Sequence, residues 1–236
     1  ELHRSYGFNK FILLVPSTPI KEGTKNFIEA EYSKKHFADI YPTTTLKLEV
    51  LNAQKAKKSG RKMFPGSITE FSRGSRLEKN RINVLLMSDS MLLSKKTMDK
   101  DDYDQTVFGA YTQPYKALEE TRPIIIIDEP HRFKRENKAY QCIVDKIQPQ
   151  CIIRFGATFP NMPKGNEKDY NNLVYNLGTC EAFNDNLVKG VAVQTLNNVD
   201  GEDAKIKLMK VINRPKSCIF RNEQTKKNFT LNIGDH

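Results

Sequence analysis

The stretch Pro123-Ile124-Ile125-Ile126-Ile127-Asp128-Glu129-Pro130-His131 decides the fold. Four consecutive isoleucines run into two carboxylates, a proline and a histidine. An uninterrupted β-branched run of this length reads as a strand covered on both faces, the kind found in a parallel sheet. The carboxylates then fall just past the strand's carboxyl end. Open α/β sheets bind their ligands there. One carboxylate at such a place can hold Mg²⁺, and a second can orient or deprotonate an attacking water. On these residues alone a solvated acidic turn fits as well.

The rest of the chain supplies further units of the same kind. Lys10-Phe11-Ile12-Leu13-Leu14-Val15 is a second buried strand, with Gly7 as a helix stop before it. After Pro16, Ser17 or Thr18 can cap a helix whose first turn holds Pro19. Ile20, Phe27, Ile28, Tyr32, His36 and Phe37 continue that helix at roughly helical spacing. Strand, turn and helix in this order form the unit of a doubly wound sheet. Thr44 to Val50 alternates and reads as a strand suited to a sheet edge. Ser67-Ile68-Thr69-Glu70 matches a capping box that opens a short helix. Ile82 to Met87 is a third buried strand, followed by Ser88-Asp89-Ser90.

Residues 94–112 read as an irregular polar insertion, and 115–121 as a short helix. Residues 132–145 read as a helix with Tyr140, Ile143 and Val144 inward. Gln150 to Phe155 is another strand, ending in Gly156-Ala157-Thr158. Thr179 is expected to cap a helix reaching Leu187. Beyond Lys189 the pattern alternates in short runs around Val191 to Val193, Lys205 to Val211, Cys218 to Phe220 and Phe229 to Ile233. That is the signature of antiparallel strands. The expected division is 1–190 for the α/β domain and 191–236 for a β-rich extension or linker.

The 236 residues carry 38 Lys and Arg against 28 Asp and Glu, a net +10 that suits a polyanionic partner. Nine basic and two acidic side chains fall within residues 55–81, Lys57, Lys58 and Arg61 among them. This run is either a solvated charged loop or a phosphate-contacting patch with salt-dependent binding. The four cysteines are scattered and form no zinc-ligand spacing with the four histidines, so reduced thiols in a cytosolic protein are expected. No apolar run approaches the roughly 20 residues that a membrane helix needs.

Asp128-Glu129-Pro130-His131 resembles the DExH box of superfamily 2 helicases and translocases, most closely the motor subunit of type III restriction enzymes. Val15-Pro16-Ser17 with Lys21-Glu22-Gly23 resembles that family's motif Ia, and Gly156-Ala157-Thr158 its motif III. Asn186-Leu187-Val188-Lys189 resembles the segment that leaves the first motor domain. The order of these motifs follows the family over nearly the whole chain.

The resemblance implies a RecA-like P-loop NTPase fold: an α/β, mostly parallel sheet with helices on both faces, followed here by a small antiparallel β segment. It implies ATP and Mg²⁺ as cofactors, with Asp128 on the metal and the nucleotide. Glu129 would polarise the attacking water, and His131 would bond toward motif III; His131 can equally be a helix-start histidine satisfied by a neighbouring carbonyl. Thr158 would be the coupling hydroxyl at the nucleotide, or simply a small residue in a tight turn. Ser17, Thr18 and Lys21 would contact DNA phosphates, and Ser17 and Thr18 can be N-caps as well. The implied partners are double-stranded DNA and the methyltransferase (Mod) subunit, in a bacterial cytoplasm.

One departure stands out. A phosphate-cradling loop of the form Gly-x-x-x-x-Gly-Lys-Ser/Thr needs a Gly-Lys dipeptide, and the chain has none. The sheet is therefore expected to be incomplete at its N-terminal side, with that loop upstream of Glu1. The nucleotide is then not firmly held, and this stretch is expected to be inactive by itself. Another superfamily 2 helicase, or a non-catalytic DNA-binding or subunit-docking module, fits the same residues.

Overall fold

The computed structural model describes residues 1–53, 63–73, 78, 80–104, 107, 109–162, 167–188 and 206–233. Lys57, Lys58 and Arg61 and the expected strand at Val191 to Val193 lie outside them. The chain forms two compact units, Glu1–Leu173 and Val174–His236.

The first unit is built on five strands: β1 (Lys10–Val15), β2 (Thr45–Val50), β3 (Arg81–Ser88), β4 (Ile124–Asp128) and β5 (Cys151–Phe155). Their order is β2-β3-β1-β4-β5 and every pairing is parallel. Register sorts their side chains. Ile12, Leu14, Leu85, Met87, Ile125 and Ile127 face one side; Phe11, Leu13, Val84, Leu86, Ile124 and Ile126 face the other. Both faces are apolar, so the strand sequences run without alternation.

The helices of this unit are α1 (Leu2–Tyr6), α2 (Thr18–Glu29), α3 (Glu31–Ile40), α4 (Gly66–Arg73), α5 (Asp89–Leu92), α6 (Pro114–Thr121) and α7 (Lys138–Cys142). The Ile12 face is closed by Phe71 of α4, Leu118 of α6 and Ile143 and Ile147. Parallel crossovers are right-handed. The step from β1 out to β2 therefore carries α2 and α3 to the opposite face from α4, α6 and α7. The two directions of winding diverge at β1 and β4, which makes the crevice beyond their carboxyl ends the topological switch point.

Several local expectations hold. Gly7 ends α1 in the left-handed region at φ 74°, its N–H donating to the His3 carbonyl at 2.8 Å. Ser17 takes the N-cap position of α2 with Pro19 in the first turn, although its hydroxyl makes no capping bond.

Others are corrected. The helix expected after Ser17 breaks at Ala30 into α2 and α3, and Ile20, Phe27 and Tyr32 are exposed. Ser67 lies inside α4, not at its cap. The Pro65 carbonyl accepts the N–H groups of Ile68 and Thr69, and Glu70 turns outward to Lys47. The insertion at 94–112 is only partly polar: Met98, Tyr103 and Val107 are buried in the main core. The helix expected at 132–145 is replaced by a 3-10 turn (Pro130–Arg132), α7 and a π-type turn (Ile143–Ile147). The wide turn directs Ile143 and Ile147 inward and leaves Val144 exposed.

In the second unit α8 (Thr179–Asn184) is capped by Gly178, whose N–H donates to the Glu181 carboxylate at 3.3 Å, one residue before the expected cap at Thr179. The strands β6 (Ile206–Asn213), β7 (Lys216–Asn222) and β8 (Asn228–Asn232) form an antiparallel sheet in that order, as the alternating runs predict. No helix among the described residues is long and apolar enough to cross a membrane.

Candidate nucleotide site at the carboxyl rim of the parallel sheet

Five parallel strands deliver five turns to one rim. Ser17 and Thr18 follow β1, Asn52 follows β2, Ser88 ends β3, Asp128 ends β4, and Gly156-Ala157-Thr158 follows β5. The segments singled out by sequence are thus brought to one edge by topology alone. Asp128 and Ser17 end the two adjacent strands that flank the switch point.

Asp128 is the last residue of β4, opposite Phe155 of β5, and its side chain is exposed. The backbone then turns sharply. Glu129 sits in the left-handed region at φ 55° and ψ 68°, which a side chain with a Cβ occupies at a cost of about 1–2 kcal/mol. The turn is held on both sides. The Glu129 N–H donates to the Phe155 carbonyl at 3.0 Å, and the Arg132 N–H donates to the Glu129 carbonyl at 3.1 Å. Strain of this kind in a rim turn, retained by surrounding bonds, is characteristic of functional sites.

The proline of the acidic box and the glycine after β5 are matched pieces. A Cβ placed on Gly156 would stand 2.3 Å from Cδ of Pro130 and 3.0 Å from its Cγ. The proline ring cannot swing away as a flexible chain would, so only glycine allows this approach. The contact fixes the box against the segment that carries Thr158.

The side chains above this frame are accessible. His131 Nδ1 lies 3.1 Å from the Glu129 carboxylate, with the two side chains 47% and 38% exposed. No hydrogen bond among the described residues joins His131 to Thr158, which is exposed. The link between the two segments runs instead through the Glu129 backbone and the Pro130–Gly156 contact. Ser17 is half-buried and Thr18 exposed. Lys21 does not project from the rim. Its side chain is only 5% exposed, and its ammonium donates to the Leu51 carbonyl at 3.4 Å and to the side-chain oxygen of Asn52. It ties α2 to the end of β2.

Behind the rim is a cluster that sequence reading passed over. Asp169 is 2% exposed. One of its carboxylate oxygens accepts from the Arg154 guanidinium at 3.2 Å and from the Arg135 backbone N–H at 3.2 Å. The other stands 2.8 Å from Nε of Arg135, close enough for an ion pair but without hydrogen-bond alignment. The Arg154 guanidinium also lies over the rings of Tyr140 and Phe159, 5.8 and 5.4 Å from their centroids. The cluster joins β5, the segment after the acidic box and the loop after Thr158. Its signal in the sequence was Arg154, a lone charge in the strand Cys-Ile-Ile-Arg-Phe that needs a partner once the strand is covered. Asp169 gave no such signal.

The described residues contain no group of three or more His, Cys, Asp or Glu that would hold a metal by themselves. Mg²⁺ needs less than that, because it keeps most of its waters and takes one or two carboxylates together with phosphate oxygens. The exposed hard oxygen donor of Asp128 fits that demand. A cleft of about 600 Å³ lies at the opposite rim, lined by Arg4, Tyr41, Thr44 and Asn80. It is remote from the paired carboxylates, and the chemistry of the carboxyl rim outweighs its volume.

A parallel α/β sheet with an acidic box at its switch point, locked to a Gly-Ala-Thr turn on the neighbouring strand, defines a RecA-like α/β domain. Residues 1–161 match the family model described as type III restriction enzyme, res subunit. The chain belongs to this family. It is 47% identical over 202 residues to the StyLTI Res subunit of Salmonella typhimurium, covering 82% of this chain and 20% of that protein. It is 40% identical over 193 residues to the EcoP15I Res subunit of Escherichia coli, with 81% and 19% covered. The EcoPI Res subunit of Escherichia phage P1 is 39% identical over 193 residues, with the same coverage. The chain thus spans about a fifth of the length of these relatives.

Proposed function

We propose that this chain is the metal-and-water half of the ATP site in the motor of a type III restriction enzyme. The parent protein uses ATP hydrolysis to move or switch on double-stranded DNA, and it cleaves DNA together with a methyltransferase (Mod) subunit. The observation that carries the reading is the strained Glu129 turn, bonded to β5 and packed on Gly156 at the switch point of the sheet.

Asp128 would hold Mg²⁺, and the cation would supply charge neutralisation at the transferring phosphoryl group, where catalysis is mostly positioning and electrostatics. Glu129 accepts a hydrogen bond from the attacking water and orients it. His131, with Nδ1 3.1 Å from the Glu129 carboxylate, steadies it on the rim. Thr158 senses the same region from the Gly-Ala-Thr turn, and the rigid Pro130–Gly156 contact carries its displacement to the box. Ser17 and Thr18 present hydroxyl and N–H groups to a phosphate at the start of α2. Lys57, Lys58 and Arg61 add sequence-independent attraction to the DNA backbone. Lys21 acts indirectly, by fixing α2 to β2.

The test is DNA-stimulated ATP hydrolysis by the full-length protein, wild type against Glu129→Gln. The substitution should lower kcat by at least about 100-fold, the scale of a lost general base, while nucleotide affinity stays. Hydrolysis that survives it, or a wild type that never hydrolyses ATP, overturns the assignment. The second result would leave a DNA-binding or docking module with a vestigial box.

A further inference from the structure

A second concentration of positive charge lies in a place the proposed site does not use. Residues 206–233 carry seven Lys and Arg against a single carboxylate, Glu223, which is a net +6 of the chain's +10. They form the antiparallel sheet β6-β7-β8.

Register places three of these basic side chains on one face, while Lys216, opposite Asn213, ends the otherwise apolar second face. Lys207 stands opposite Arg221, and Arg221 opposite Asn228. In the next row Lys210 stands opposite Ile219, and Ile219 opposite Thr230. The irregularity between Leu208 and Lys210 keeps the two lysines on the same side although they are three positions apart. The other face is apolar: Leu208, Phe220 and Phe229 form one row, and Val211, Cys218 and Leu231 the next.

Folding does not explain the basic face. Like charges directly opposite one another weaken a strand pair, and three strands have little stability to spare. The one carboxylate, Glu223, is bonded to Lys226 in the β7–β8 turn at 3.0 Å and is within electrostatic reach of Arg221 and Lys207, so it offsets only part of the charge of the face. The Nε of Arg221 is buried and makes no hydrogen bond among the described residues. Ammonium, guanidinium, amide and hydroxyl donors in adjacent rows are the groups that contact phosphate and sugar in protein–DNA complexes.

We propose that the basic face of β6-β7-β8 binds the phosphodiester backbone of DNA through Lys207, Lys210 and Arg221, as a contact separate from the carboxyl rim of the parallel sheet. This rests on the reading of the parent protein as a DNA motor.

The experiment measures binding of the full-length protein to a fluorescent DNA duplex across a salt series. The compared protein is the triple variant Lys207→Gln, Lys210→Gln and Arg221→Gln. Each lost phosphate contact flattens the slope of log K against log salt by about 0.9, so the variant slope should fall by roughly 2–3. Affinity at low salt should fall with it, and ATP hydrolysis at saturating DNA should stay unchanged. Lys226→Gln, at the lysine already paired with Glu223, should leave the slope alone. Removing the Lys207–Arg221 repulsion should not lower the melting temperature. If the triple variant nevertheless fails to fold, Lys207→Gln alone decides, with an expected change of about 1 in slope. An unchanged slope in a folded variant overturns the proposal, and so does a face that retains vesicles of anionic phosphatidylserine in preference to duplex. A wild type that binds no DNA overturns both this inference and the DNA-motor reading; a wild type whose slope ignores the variant overturns this inference alone.

Discussion

At the scale of single residues, two backbone facts explain why the acidic box has the composition it has. Glu129 occupies a left-handed conformation that glycine would adopt freely. Glu129→Gly should therefore raise stability by about 1 kcal/mol while abolishing hydrolysis, and Glu129→Gln should abolish hydrolysis with no such gain. Thermal melts of the two variants separate the backbone effect from the chemistry. At Gly156 an added side chain is what costs stability. The β-carbon of Gly156→Ala meets the Pro130 ring, and the substitution should cost about 2 kcal/mol, the usual scale of overpacking. Pro130→Ala removes the clashing Cδ and Cγ, so the double variant should recover most of that loss. Independent, additive costs in this double-mutant cycle would show that the two residues do not act as a pair.

At the scale of elements, buried or paired charges hold the joints. Asp169 ties β5 to the segments that follow the acidic box and the Gly-Ala-Thr turn. Asp169→Ala leaves Arg154 buried without its carboxylate and should cost about 3 kcal/mol in denaturant unfolding. Arg154 is 8% exposed and Arg135 30% exposed at their side chains, so Arg154→Ala should cost more than Arg135→Ala, whose partner keeps its better-aligned bond. A reversed order would mean that the Arg135 contact is the stronger one.

A second joint is pH-dependent. The hydrogen bond from Lys47 holds the Glu70 carboxyl below its ordinary range, and the same bond raises Lys47. The tie between β2 and α4 is therefore fully present from above the ordinary carboxylate value up to the ordinary lysine value. It is lost as pH falls through the lowered Glu70 value, and lost again as pH rises through the raised Lys47 value. The melting-temperature difference between wild type and Glu70→Gln should accordingly shrink toward both ends of the pH scale, and shrink with added salt. A difference that persists in strong acid would refute the assignment.

At the scale of the whole molecule, charge and topology serve different ends. Net charge of +10 bears on partners and association, not on the fold. Two basic regions are separate in the chain, the run around Lys57, Lys58 and Arg61 and the β6-β7-β8 face. Charge reversal at Lys57, Lys58 and Arg61 should weaken duplex binding and flatten its salt slope. Combined with the β-sheet variant, the two changes in slope should add, because each lost phosphate contact contributes its own increment to the slope. A combined slope no flatter than either variant alone would show that the two regions do not contact DNA at once. Topology does the separate work of assembling the candidate site. Five parallel strands bring residues from 17 to 158 to one rim without any of them being near in sequence.

The division between sequence and tertiary structure follows from the range of the forces involved. Near-continuous apolar runs identified β1, β3, β4 and β5 because a strand covered on both faces admits a buried charge only where a partner meets it, as Asp169 meets Arg154, and the acidic box was legible because its chemistry is written in consecutive residues. The alternating runs after residue 205 likewise announced antiparallel strands. Other features depended on contacts between segments far apart in the chain. Lys21, expected at a phosphate, turned inward because the Leu51 carbonyl and Asn52 arrive beside it only once β2 joins the sheet. Met98 and Tyr103 sank into a core that their polar neighbours concealed. The single helix expected at 132–145 gave way to a 3-10 turn, α7 and a π-type turn that carries Ile143 and Ile147 inward. Asp128 and Glu129 could be read from sequence as two carboxylates at the end of a strand; that Glu129 is strained, and that Pro130 rests on Gly156, was decided by the lateral pairing of β4 with β5.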